Sequence, residues 1–201
     1  MIAIIDYGMG NLASVKNALN KLGYEAIISD DADEILKAER VILPGVGAFE
    51  DAIKNLRQRG LDQAIDEVLR QEKPLLGICL GLQLMMSESE ENGLHKGLDL
   101  VPGRVVRFAL PAQFKVPHMG WNSIKPAADS KLFTGIAPES YFYFVHSYYV
   151  VPEDESVIAA RCNYGMDFTC SIERSKLFAT QFHPEKSGTI GLQVLKNFGE
   201  I

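Results

Sequence analysis

Leu75-Leu76-Gly77-Ile78-Cys79-Leu80-Gly81-Leu82-Gln83 carries an apolar run into a helical pattern through a cysteine, with glycine two residues before it and two after. The run from Pro74 to Ile78 is apolar without alternation, which is the mark of a central parallel strand covered on both faces. The turn that follows must be sharp. A nucleophile on such an elbow sits in a strained backbone conformation, and flanking side chains larger than hydrogen would collide with it, so G-x-C-x-G parallels the G-x-S-x-G of hydrolases. The first turn of a helix also favours the reactive thiolate form of a cysteine. Cysteine statistics alone would make Cys79 a small buried core residue; the paired glycines turn the reading towards a nucleophile.

Outward from the elbow, the first half of the chain alternates strands and helices. Ile2 to Ile5 is a short apolar strand, and Asn11 to Leu22 a helix with its stripe at Leu12, Val15, Leu19 and Leu22, ended by Gly23. A strand is expected at Glu25 to Ile28, an acidic helix around Asp33 to Ala38, and a strand at Arg40 to Leu43, stopped by Pro44 and Gly45. Helical stretches at Phe49 to Gln58 and Leu61 to Glu72 complete the approach to the elbow. After about Gly93 helical periodicity gives way to β segments near Gly103 to Ala109, Tyr141 to Val151, Val157 to Cys162, Phe168 to Glu173 and Leu177 to Phe182. An antiparallel extension is expected there. Ile190 to Phe198 is a last helix, and with no repeat or Pro/Ser-rich linker the expectation is one layered α/β/α unit over residues 1–201.

Composition removes several partners. The length of 201 residues with 47% hydrophobic and 23% charged content suits one domain with a full core. A net charge of -6 with scattered Lys and Arg gives no electrostatic footprint for nucleic acid or an anionic membrane. No apolar run approaches a membrane span and Ile2 to Ile5 lacks the flanks of a signal peptide, so a cytosolic, cytoplasmic location is expected. Cys79, Cys162 and Cys170 are an odd set without CxxC spacing, which argues against a disulfide framework and a zinc site. Cys162 and Cys170 lie in β segments and are expected to be core residues.

Gly8-Met9-Gly10-Asn11-Leu12-Ala13 fits G-x-G-x-x-A after a strand and before a helix, with Asp30 and Asp31 at about the right distance. That pattern describes a dinucleotide site, with a pyrophosphate on the helix N-terminus. Two glycines also make a tight strand-to-helix turn in any α/β protein, and short glycine motifs are weakly specific.

Two further pieces attach to Cys79. In Phe182-His183-Pro184-Glu185, residues two apart in extended chain share a side and Pro184 stiffens the link, so Glu185 can fix the tautomer of His183. Alone this is equally a surface pair; with an elbow cysteine it supplies a base and its orienter. Leu43-Pro44-Gly45-Val46-Gly47 follows a strand that should neighbour the elbow strand. It can aim a backbone N–H at a tetrahedral oxyanion, with Leu80 N–H as second donor.

These residues resemble the class I, or triad, glutamine amidotransferases, whose hallmarks are a G-x-C-x-G elbow and a C-terminal H-P-E. More narrowly, Asp6 to Leu12 (DYGMGNL), Pro44 to Gly47, Gly77 to Gly81, Pro117 to Asn122 (PHMGWN) and His183 to Lys186 together are similar to the glutaminase subunits of imidazole glycerol phosphate synthases. The resemblance implies a flavodoxin-like three-layer α/β/α fold with a mostly parallel central sheet and a small antiparallel extension. It implies Cys79 as nucleophile, His183 as acid and base, Glu185 as orienter, and an oxyanion hole from Val46 N–H, positioned by Gly45 and Gly47, with Leu80 N–H. It further implies that Gln83, Glu91, Ser147 and Tyr148 hold glutamine, Ser147 standing where threonine is also expected. Asn11, Trp121, Tyr143 and Lys186 would face a (β/α)8-barrel cyclase in a heterodimer. Neither metal nor organic cofactor is implied, and the N-terminal glycine turn belongs to this family without a bound dinucleotide. The competing expectations are a free-standing cysteine hydrolase of γ-glutamyl or peptide substrates, and a dinucleotide-binding module.

Overall fold

All four residues of the first strand are buried, alternately on its two faces. In the computed structural model, which describes residues 1–201, Ile2 and Ile4 of β1 (Ile2–Ile5) enter one apolar core while Ala3 and Ile5 enter a second. A strand whose neighbouring residues face opposite sides can be apolar throughout only if both faces are covered. One core is closed by α1 (Leu12–Lys21) and the C-terminal helix α6 (Gly188–Glu200), through Val15, Leu19, Val194, Leu195 and Phe198. The other is closed by α2 (Ala32–Lys37), α3 (Phe49–Gln58) and α4 (Leu61–Arg70), through Ile35, Phe49, Ile53, Leu56, Leu61, Ile65 and Val68.

The parallel part of the sheet runs in the order β2 (Ala26–Ser29), β1, β3 (Arg40–Gly45), β4 (Leu75–Cys79), β13 (Leu177–Thr180). This is the 2-1-3-4-5 order of flavodoxin-like folds, and such sheets bind ligands beyond the carboxyl ends of their strands. Between β4 and β13 the chain makes the short helix α5 (Leu80–Leu84) and then β5 (Met86–Ser89), β6 (His95–Lys96), β7 (Val101–Arg107), β8 (His118–Pro126), β9 (Tyr141–His146), β10 (Tyr148–Pro152), β11 (Ile158–Asn163) and β12 (Asp167–Arg174). Apart from the parallel β5–β7 pair these strands pair antiparallel, joined to the parallel block where β12 pairs with β13. No helix is long and apolar enough to cross a membrane.

The mostly parallel core with an antiparallel extension agrees with the expectation, but details differ. β3 does not stop at Pro44: Pro44 and Gly45 pair with Ile78 and Cys79. The ladder to β1 ends at Ile42, so the missing N–H of Pro44 costs no bond on that side. The helix after the elbow has only five residues, and β5, β6 and β8 lie where no strand was expected. Met86 to Ser89 has little intrinsic strand preference; pairing with β7 imposes the conformation. The segment Tyr141 to Val151 divides at Ser147, because β9 pairs with β8 whereas β10 pairs with β7 and β12.

Candidate active site

Cys79 lies at the carboxyl end of β4 with φ 56° and ψ −107°, a left-handed conformation that an ordinary side chain adopts only under strain. Its glycines have separate steric duties. A Cβ on Gly81 would drive into the carbonyl of Leu43 on β3, and one on Gly77 would meet the backbone of Gly81 and the methyl of Met85 at 2.9 Å. The elbow closes only because both positions are bare.

The register of the sheet brings the other pieces to the same place. Thr180 of β13 stands beside Ile78 of β4, so Gln181 to His183 leave their strand next to Cys79, and Gly45 of β3 pairs directly with Cys79. His183 Nδ1 and Glu185 Oε1 are 2.8 Å apart, and both side chains are buried, at 2% and 1% exposure, so they are not a surface pair. His183 Nε2 has no hydrogen-bond partner in the protein and stands towards Cys79. Burial works against charge on this imidazole, but neighbouring Cys79 and Glu185 outweigh it and hold its pKa at about 10.

A cavity of about 320 Å³ opens over these groups, lined by Val46, Gly47, Cys79, Leu80, Gln83, Glu91, Ser147, Tyr148 and His183, with Pro117, Val145 and His146 on the remaining wall. A larger cavity of about 390 Å³ lies between β8 and β11 around Lys125, Glu139 and Arg161, away from Cys79 and His183; chemistry, not size, favours the smaller one. Glu91 accepts a hydrogen bond from Phe49 N, 2.8 Å, at the start of α3, while Val46 is 39% exposed and Gly47 has φ 103°. Trp121 and Tyr143 pair across β8 and β9 with ring centroids 6.2 Å apart. Lys186 follows Glu185 on the short turn Pro184–Lys186, and Asn11 precedes α1 without a side-chain cap bond.

The nucleotide pattern dissolves in the structure. Asp31 caps α2 by accepting from Glu34 N, Asp30 pairs with Arg59 at 3.1 Å, and Asp6 accepts from Gly8 N at 2.9 Å to fold the turn. Cys162 and Cys170 are buried strand residues; burial first, then nearby negative groups, pushes the Cys162 thiol up to about 12, and Cys170 is raised too.

Sequence reasoning passed over three residues at this site. Ser187 accepts from Tyr143 N at 2.9 Å and donates to His183 O at 2.7 Å, while His183 N donates to Tyr143 O at 3.0 Å. Tyr7 is fully buried beside Gly45 with an unpartnered hydroxyl, and burial, helped by Cys79, raises its pKa. Gln181 donates from Nε2 to Cys79 Sγ at 3.7 Å. Tyr7 lies inside the quoted Asp6 to Leu12 motif and Gln181 and Ser187 flank the His183 motif, but nothing in their spacing separates them from structural residues.

A strained cysteine over a buried His–Glu pair, at the carboxyl ends of a flavodoxin-like sheet, has the layout that cysteine-dependent amide hydrolysis needs. The chain belongs to the class-I glutamine amidotransferase family, whose model matches residues 3–200. Within that family it is 59% identical over its whole length, and 94% of the relative's, to "Imidazole glycerol phosphate synthase subunit HisH" of Moorella thermoacetica, and 53% identical to the HisH subunit of Methanosarcina barkeri, covering 98% of it. Among solved structures it superposes on a glutamine amidotransferase with a TM-score of 0.75 at 20% identity, over 100% of this chain and 98% of that one. PurLQS from Thermotoga maritima gives the same TM-score at 16% identity, over 99% and 97%.

Proposed function

We propose that the chain is the glutaminase subunit of imidazole glycerol phosphate synthase, hydrolysing glutamine to glutamate and ammonia for a synthase partner. The observation that carries the chemistry is the strained Cys79 facing a cavity it shares with the unpartnered Nε2 of a buried, Glu185-paired His183. Whole-chain identity to HisH subunits supports the pathway.

In this reading the Cys79 thiolate attacks the carboxamide carbon of glutamine, and the oxyanion is met by Val46 and Leu80 N–H donors. As the C–N bond breaks, the His183 imidazolium gives its proton to the nitrogen and ammonia leaves. A thioester remains. Neutral His183 then takes a proton from water, whose oxygen attacks the thioester; the C–S bond breaks, glutamate departs, and the thiolate and imidazolium are restored. Glu185 keeps the Nδ1 proton of His183 in place throughout. Gln83, Glu91, Ser147 and Tyr148 hold the substrate, Glu91 being the carboxylate available for its α-amino group. Ammonia released into neutral water is protonated and loses its nucleophilicity, so the site is expected to dock against its consumer. The partner is a (β/α)8-barrel cyclase, joined through Asn11, Trp121, Tyr143 and Lys186, which closes an imidazole ring with the ammonia to give imidazole glycerol phosphate and an aminoimidazole carboxamide ribotide, in histidine biosynthesis. The chain acts as one domain and needs no metal or organic cofactor for this chemistry.

The test is to measure glutamine hydrolysis and co-purification with the barrel subunit for the native chain, Cys79→Ala and Cys79→Ser. Both variants should lose hydrolysis and keep the partner, because the changes are small and remove only the nucleophile. Glutaminase activity surviving in either would sink the triad assignment.

A further inference from the structure

Besides His183, the sulfur of Cys79 has a second polar neighbour that the mechanism above leaves idle. Gln181 is fully buried, and while its Nε2 points at the sulfur, its Oε1 accepts from Gln83 Nε2 at 3.1 Å. Gln83 Nε2 also donates to the backbone carbonyl of Tyr148 at 3.2 Å. The same carbonyl accepts from His146 Nδ1 at 2.8 Å, and His146 Nε2 is 3.0 Å from His118 Nδ1. His118 Nε2 in turn meets Asn122 Nδ2 at 3.2 Å, and that amide donates to Asn163 O at 2.8 Å. One unbroken set of hydrogen bonds joins the β8–β11 edge of the sheet to the nucleophile.

Its polarity is forced from the middle. A backbone carbonyl can only accept. Gln83 must therefore show its amide nitrogen to Tyr148, and since that nitrogen also reaches Gln181, Gln181 must offer its oxygen to Gln83 and its N–H to the sulfur. On the other side, His146 must carry its proton on Nδ1, so its Nε2 accepts; His118 then carries its proton on Nδ1 and accepts from Asn122. Burial pushes both imidazoles well down, to about 4 for His118 and about 3 for His146, which keeps the neutral tautomers that this pattern needs.

We propose that Gln181 is a further catalytic residue, an amide donor held against Cys79 Sγ by the chain anchored on the Tyr148 carbonyl. Its N–H steadies negative charge on the sulfur before attack and again when the thioester expels it. A hydrogen bond to an anion is about twice as strong as one to a neutral acceptor, so the contact favours the reactive form. His146 and His118 are positioning residues that act through Tyr148 and Gln83. The inference rests on Cys79 being the nucleophile.

The experiment uses the full chain in complex with its synthase partner and reads two quantities: kcat and KM for glutamine, and the pH profile of Cys79 alkylation by iodoacetamide. Gln181→Met, close in volume, should lower kcat by about tenfold to a hundredfold, the range of one charge-assisted bond, with KM nearly unchanged. The alkylation midpoint should move to higher pH, which a purely structural role would not do. His146→Leu should shift both quantities the same way, and His146→Asn, which keeps a donor for the Tyr148 carbonyl, should recover part of the loss. Native kcat and a native alkylation profile in Gln181→Met would overturn the inference. If that variant does not fold, Gln181→Asn, which withdraws the amide from the sulfur by one methylene, carries the same reading. Cys79→Ala separates the two claims: activity retained there removes the nucleophile, whereas activity lost there with silent Gln181 variants removes only this proposal.

Discussion

Glu185 influences His183 from almost complete burial, with one oxygen on Nδ1 and the other, Oε2, without a partner. Its charge is part of what holds the imidazole pKa near 10 against desolvation. Glu185→Gln keeps an oxygen for the Nδ1 proton and removes the charge, so rate should fall by roughly a hundredfold, less than in Cys79→Ala. The sign of the pH effect follows from the direction of the shift. In the proposed mechanism the imidazolium must persist to protonate departing ammonia, so the native alkaline limb is expected near the raised pKa; without the anion, that pKa drops and the limb moves to lower pH. Rate–pH profiles of the two proteins test this, and an unmoved limb would leave Glu185 no electrostatic role. The pairing of His183 with Glu185 was legible from their spacing and the intervening proline. Their burial was not, because it depends on β13 lying inside the sheet and on α6 folding over it.

Among the elements, the segment from β3 into α3 brings two exposed residues, Val46 and Gly47, beside the sulfur. Gly45 pairs with Cys79 in the sheet, but Val46 is exposed and Gly47 has φ 103°, which leaves the Gly45–Val46 peptide room to turn its N–H, that of Val46, towards or away from the oxyanion. A glutaminase that ran without its partner would waste glutamine. The isolated chain should therefore be a poor glutaminase, activated when partner and acceptor ligand shift the population of the Gly45 to Gly47 loop. A hundredfold activation needs about 2.7 kcal/mol of differential stabilisation, within reach of a few interface contacts. Glutaminase rates for the chain alone, with partner, and with partner plus acceptor ligand decide it; equal rates in all three would refute the switch.

For the whole molecule, three of the six exposed large apolar side chains, Met119, Trp121 and Tyr141, share the β8–β9 hairpin and are each more than half exposed, whereas Val46, Leu94 and Val151 lie elsewhere. The hairpin is also tied to the site, because Tyr143 of β9 exchanges hydrogen bonds with His183 N and Ser187. Central aromatic residues carry much of an interface's affinity. Trp121→Ala should weaken binding of the synthase partner by about tenfold or more while leaving the circular dichroism spectrum of the chain unchanged. Titration of the partner subunit into both proteins checks this, and unchanged affinity would move the interface elsewhere on the surface.

By itself the sequence determined whatever depends on local pattern. Continuous apolar runs at Ile2 to Ile5 and Leu75 to Ile78 demand two covered faces, paired glycines around Cys79 demand an elbow, and proline between His183 and Glu185 sets their reach. Those constraints act over a few residues, so they can be read from a few residues. Tertiary structure decided what depends on neighbours distant in the chain. Pro44 could remain in a strand because β1 ends before it, and Met86 to Ser89 became a strand because β7 lay alongside. Asp30 and Asp31 were claimed by Arg59 and a helix cap. The amide of Gln181 acquired its direction from a carbonyl 33 residues earlier, at Tyr148, through Gln83. A hydrogen-bond chain has a polarity only once its members meet, and the order of residues along the chain does not record that meeting.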